Sequence, residues 1–132
     1  MGTLNPARVA REYPNRYRLE ATRCSGCGEV VFPARLVCPS CRGRKFTPLA
    51  LRPEGKVVTF TVIHVPPAAF RNEAPYVLAV VELDEGARLT CQIADVEPDK
   101  VATGMPVRLE FRRIQQDGEA GVIAYGHKAV PA

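Results

Sequence analysis

Cys24, Cys27, Cys38 and Cys41 form two CxxC pairs with ten residues between them, and this spacing restricts the fold more tightly than anything else in the chain. Two thiolates three positions apart converge on one ion when the turn between them is tight. The first pair reads Cys24-Ser25-Gly26-Cys27-Gly28, with glycines where backbone must curl close to sulfur. The second reads Cys38-Pro39-Ser40-Cys41, where proline fixes one dihedral angle. Together they predict a tetrahedral metal site. Zinc is the expected ion, and iron in a rubredoxin-like site is the alternative that four thiolates leave open. Four sulfurs leave no coordination position for water, so the expected role is structural. Glu29 to Val37, between the pairs, is apolar enough for a strand but too short to bury itself, so the metal must replace a core.

Two other readings of the cysteines compete. Disulfides need an oxidising compartment, whereas Met1 to Ala10 lacks the hydrophobic segment of an export signal and the fifth cysteine, Cys91, has no mate. Redox chemistry ordinarily uses one CxxC beside a helix, not two on a short hairpin. No apolar run approaches the roughly 20 residues that cross a bilayer, so no membrane is expected and a reducing cytoplasm is.

Charge divides the chain where its pattern divides. Residues 1–52 carry ten Lys/Arg against three Asp/Glu, and residues 53–132 carry eight against eleven. The formal charge of +4 falls to about +2 once four thiolates and a divalent ion are included. Two units are expected: residues 1–52, a helix and metal ribbon, and residues 53–132, a β-domain.

Asn5-Pro6 reads as a helix cap and first-turn proline, and Pro14 is expected to end that helix. Tyr17 and Leu19 lead into the ribbon, and Arg42 to Phe46 lead out of it into a short strand. Arg52-Pro53-Glu54-Gly55 reads as a turn between the units. Val57 to Val65 is then dense in β-branched residues and stopped by Pro66-Pro67. Tyr76 to Leu83, the turn Asp84-Glu85-Gly86 and Arg88 to Ile93 predict a hairpin. Alternation over Val107 to Arg112 places Val107, Leu109 and Phe111 inside. Gln116-Asp117-Gly118 turns the chain into a last strand, Gly121 to Tyr125. Five strands with short connections predict a mainly β fold whose second half is a five-stranded OB-type Greek-key barrel, with an open sandwich as the alternative.

Tyr17-Arg18-Leu19, the two cysteine knuckles and Phe32-Pro33-Ala34-Arg35 together resemble the zinc-ribbon plus OB-fold family long catalogued as a domain of unknown function. Gly55 to Val62, Ala74 to Leu83 and Gly104-Met105-Pro106-Val107 resemble that family's barrel strands and turn. The tail, Phe111 to Ile114 and Gly121 to Lys128, is similar to the branch that accompanies thiolases and HMG-CoA synthases. The resemblance spans nearly the whole chain. It implies a non-catalytic subunit of a thiolase-superfamily enzyme in a hetero-oligomer, able to line the passage that holds coenzyme A. It carries over no catalytic residue.

The residues fit that expectation. Arg35, Arg42, Arg44 and Lys45 are candidates to meet an acidic partner or coenzyme A phosphates, and otherwise form a solvated basic face. Phe70, after the proline pair, is a candidate aromatic anchor, or folds back on the barrel. Nucleic acid is the rival partner, because zinc ribbons and OB folds both bind it elsewhere. An acidic barrel half without tryptophan argues against that. An independent enzyme is the third reading: Cys91 lies inside a strand pattern with no histidine near it in sequence, so a buried inert thiol is expected. His64 and His127 are placed at strand ends, and Asp84-Glu85 in a solvated turn.

Overall fold

A computed structural model describes residues 6–116 and 118–132. The Asn5 cap and the Asp117 turn position lie outside the described residues.

Helix α1 runs from Pro6 to Tyr17, so Pro14 does not end it. Proline lacks the N–H that would bond to residue 10, but its own carbonyl accepts from Arg18 N–H at 3.3 Å and the ladder resumes. Tertiary contacts offset that defect. Tyr17 packs edge-on against Phe111 with ring centres 4.8 Å apart, and Leu19, at φ +53°, turns the chain inward as a buried residue.

Three short strands follow: β1 (Glu20–Cys24), β2 (Val30–Val31) and β3 (Phe46–Ala50), with β1 between the other two in an antiparallel sheet. The apolar stretch from Glu29 to Val37 thus gives only a two-residue strand. Phe32-Pro33 adopts a cis peptide, and Leu36 is 89% exposed. With so few apolar partners nearby, nothing rewards a longer pairing.

The barrel is formed by β4 (Glu54–Ile63), β5 (Tyr76–Leu83), β6 (Arg88–Ile93), β7 (Pro106–Gln116) and β8 (Ile123–Pro131). It closes in the order β4-β5-β6-β8-β7, the OB arrangement. Strand β5 alternates strictly, with Val77, Ala79, Val81 and Leu83 inside. Val57, Ile93, Val107 and Leu109 meet them, and Leu19, Ala21 and Leu51 join the same core from the ribbon side.

Glu54-Gly55 begins β4 rather than forming a turn, and pairs with both β5 and β7. Gly55 permits this crowded crossing, since a Cβ there would lie 2.4 Å from the Glu82 carbonyl oxygen. Strand β4 ends at Ile63, two residues earlier than its β-branched run predicts, leaving His64 and Val65 exposed. Strand β8 continues well past Tyr125 to Pro131. Gly126 does not break it because it lets the Ile114 side chain lie across the strand, 3.0 Å from a would-be Cβ. Phe111 is 51% exposed rather than inside. It shares the inward face of Leu109, but there the β7–β8 ribbon runs past the barrel. Its ring stacks on Tyr125 at 5.6 Å instead.

Candidate metal centre and barrel cleft

The two cysteine knuckles are built alike. Cys24 N–H donates to Glu29 C=O and Gly28 N–H to Cys24 C=O, and Cys38 N–H donates to Gly43 C=O and Arg42 N–H to Cys38 C=O, all at 2.8–3.0 Å. Each turn needs a left-handed residue four positions after its first cysteine: Gly28 at φ +78° and Arg42 at φ +60°. Ser40 Oγ donates to the Glu29 carboxylate and ties the knuckles together.

The four sulfurs lie within 4.8 Å of one another, with Cys24 Sγ and Cys41 Sγ 3.4 Å apart and Cys27 Sγ and Cys38 Sγ 3.5 Å apart. A tetrahedron with metal–sulfur bonds near 2.3 Å has edges of about 3.8 Å, so the donor set fits such an ion. Backbone N–H groups of Cys27 and Gly26, then the Cys41 side chain, lower the Cys24 thiol to about 6. The Glu29 N–H lowers Cys27, but its shared contact with Cys38 and desolvation outweigh that and push it up to about 12. The Gly43 N–H likewise lowers Cys41, and its contact with Cys24 helps to leave that thiol raised. Three sulfurs thus meet backbone donors suited to thiolates, while their mutual repulsion calls for a cation.

Arg35, Arg42, Arg44 and Lys45 are all exposed on the ribbon, with no ion pair among the described residues. Phe70 is elsewhere. It sits in a 3-10 turn (Ala68–Glu73) and folds back on the barrel, its ring centre 5.8 Å from that of Tyr76. It lines a cleft of about 840 Å3, together with Tyr13, Tyr17, Phe32, Tyr76 and Tyr125. Apart from Phe70, sequence reasoning did not find this cleft. It is assembled from α1, the ribbon, the loop after β4 and strands far apart in the chain.

His127 also borders the cleft, in mid-strand rather than at a strand end. Its Nε2–H donates to Tyr17 C=O at 3.1 Å, leaving Nδ1 as a buried acceptor without a partner among the described residues. Burial raises the Tyr17 phenol, although its oxygen accepts a hydrogen bond from Tyr125 N–H. Cys91 is buried as expected, and desolvation pushes its thiol up to about 11.

Comparison with known proteins agrees with this anatomy. Residues 11–47 match the model of the ChsH2 rubredoxin-like zinc ribbon domain, and residues 50–112 that of the ChsH2 C-terminal OB-fold domain. A DUF35 domain-containing scaffold protein of Methanocaldococcus jannaschii is 49% identical over 92% of this chain and 86% of its own length. The chain belongs to the DUF35 family. Among solved structures, this DUF35 protein is similar to a chain of the Ltp2-ChsH2(DUF35) aldolase, with a TM-score of 0.72 and 30% identity over 99% of this chain and 98% of that one. It also resembles the benzoylsuccinyl-CoA thiolase subunit BbsA of Thauera aromatica, 32% identical over 57% of this chain and 51% of the relative. The four cysteines of this zinc ribbon are arranged for metal binding. No helix among the described residues is long and apolar enough to cross a membrane.

Proposed function

We propose that this DUF35 protein is a non-catalytic scaffold subunit of an acyl-CoA enzyme complex. Its partner is a thiolase-superfamily enzyme: a thiolase, an HMG-CoA synthase or a thiolase-like aldolase. The observation that carries the reading is its likeness, over nearly all of both chains, to the DUF35 component of an aldolase assembly. The chemistry of the chain supports it. The metal site is closed by four sulfurs, and the one remaining thiol, Cys91, is buried and held protonated.

In this reading Cys24, Cys27, Cys38 and Cys41 hold one structural Zn2+ ion, residues 1–52 form the metal unit and residues 53–132 the barrel. The site needs reduced thiols, which suits the cytoplasm. Arg35, Arg42, Arg44 and Lys45 form the cationic surface available to an acidic partner or to coenzyme A phosphates shared with the enzyme. Arg42 has the strongest case. The equivalent position of the first knuckle is glycine, so an arginine in the left-handed region accepts backbone strain for the sake of its side chain.

Co-expression with a thiolase-family subunit from the same genome tests the proposal. The expected result is a stable complex with acyl-CoA activity, while the isolated chain carries zinc and turns over no acyl-CoA. Turnover by the isolated chain, or a chain that remains alone beside every such subunit, overturns it.

A further inference from the structure

Strands β6 and β8 close the barrel by a single parallel bridge, Ile93 to Ala129, reinforced by Ala94 N–H to Ala129 C=O at 2.8 Å. Continued toward Thr90 and His127, the ladder would join His127 N–H to Thr90 C=O and Gln92 N–H to His127 C=O. Neither bond forms.

The direction of these groups follows from the neighbouring ladders. Leu83 N–H bonds to Ala87 C=O, so the odd-numbered residues of β6 face β5, and Arg88, Thr90 and Gln92 point their backbone groups away from it. Ala132 N–H bonds to Pro106 C=O, so on β8 Tyr125, His127 and Ala129 point away from β7. Two strand edges therefore face each other across an unfilled gap. The cleft lies in that gap. It is lined by the unbroken runs Leu89 to Gln92 and Ala124 to His127, whereas a cleft over one face of a sheet touches alternate residues. Tyr125 N–H on this edge donates to the Tyr17 hydroxyl oxygen.

The same gap holds two buried side-chain acceptors without partners among the described residues, His127 Nδ1 and Gln92 Oε1. Gln92 is only 9% exposed, and its Nε2 donates to the Glu73 carboxylate at 3.4 Å. The charged residues of the lining, Arg16 and Arg88, are each ion-paired, with Glu12 at 3.5 Å and Glu82 at 2.7 Å, so the cleft offers its occupant aromatic and main-chain groups rather than free charge.

We infer that the edge of β6 from Arg88 to Gln92, facing His127, receives an extended, largely apolar segment of the partner enzyme as an added strand. Alternating main-chain donors and acceptors are complementary to another main chain, and aromatic walls accept its apolar side chains. This inference rests on the scaffold reading, since it supplies the surface by which the enzyme is held.

Residue-resolved amide exchange on the free zinc-loaded chain and on its complex with the thiolase-family subunit tests it. In the free chain the amides of Thr90, Gln92 and His127 are expected to exchange at least tenfold faster than those of Leu89 and Cys91. In the complex they slow by tenfold or more. Thr90→Pro removes a donor that β5 does not use, so the chain keeps its zinc and its barrel while complex affinity falls at least tenfold. A complex that forms with all three amides still fast overturns the added strand and leaves the scaffold reading standing. Slowing of these amides by acyl-CoA alone assigns the gap to a small molecule and likewise overturns it. Absence of any complex overturns both.

Discussion

The ribbon and the barrel solve the same problem by different means. Between residues 20 and 50 the buried residues are Ala21, Cys24, Val31 and Cys38, while Leu36 and Val37 are exposed. Two of these four are cysteines of the metal site. The barrel instead buries Val57, Val77, Val81, Leu83, Val107 and Leu109 almost completely. Each such side chain contributes about 1.5–3 kcal/mol by leaving water. A short, polar segment can hold one geometry only if an ion supplies what apolar area does not, whereas eighty residues in a closed sheet supply their own core. Leu19, Ala21 and Leu51 join the two, since they belong to the ribbon side by sequence and to the barrel by packing.

The largest effect is expected from removing a sulfur. Cys24→Ser or Cys38→Ser abolishes stoichiometric zinc and removes a binding free energy on the order of 10 kcal/mol from the ribbon. Amide exchange over residues 20–50 then loses its protection while β5 and β6 keep theirs. Collapse of the barrel in the same step would break the contrast and make the shared core around Leu19 the stronger coupling. The reciprocal change is Leu83→Ala. It is expected to lower global stability by about 2–5 kcal/mol, seen as an earlier denaturant midpoint, with zinc content unchanged.

A smaller change sharpens the picture of the ribbon itself. Arg42→Gly puts glycine at the left-handed position that Gly28 already occupies in the other knuckle, relieving about 1 kcal/mol of strain. Zinc affinity should hold or rise. Affinity for the enzyme partner should fall if the guanidinium is what the strain is kept for, and an unchanged complex would remove Arg42 from the docking surface.

What the sequence reveals follows from whether a feature is local. The knuckles are legible because ligand spacing and turn glycines lie within a few residues of each other, and Tyr76–Leu83 and Arg88–Ile93 are legible because alternation is a nearest-neighbour pattern. Pro14 and Phe111 mislead for the opposite reason. Each follows its local rule until a distant partner decides: Tyr17 and Leu19 anchor a helix that proline would stop, and Phe111 passes beyond the barrel to meet Tyr125. The cleft is not legible at all. It exists because β6 and β8 diverge, and no pattern within either strand records the distance to the other.

The smallest effect concerns acid, and it separates ribbon from barrel once more. Arg112 donates to both carboxylate oxygens of Asp95, and this hydrogen bonding holds the Asp95 carboxyl below its usual range. Glu110 is also lowered, first by Arg108 and then by the same Arg112. A carboxyl whose folded value is depressed contributes stability that is present above its unfolded value, near 3.9 for aspartate, and is lost as pH falls through the folded one. Asp95 is exposed and Arg112 partly so, so the contribution is small and screened by salt. Thiolate ligands protonate at higher pH than these acids, so acidification should release zinc and loosen the ribbon first, and erode the barrel only below about pH 4. Asp95→Asn keeps a side chain suited to the left-handed backbone at φ +61° and removes the titrating group. The expected result is a slight loss of barrel stability at neutral pH, a shallower decline between about pH 4 and 2, and an unaltered pH of zinc release. A shift in zinc release on this substitution would mean that the two units titrate as one.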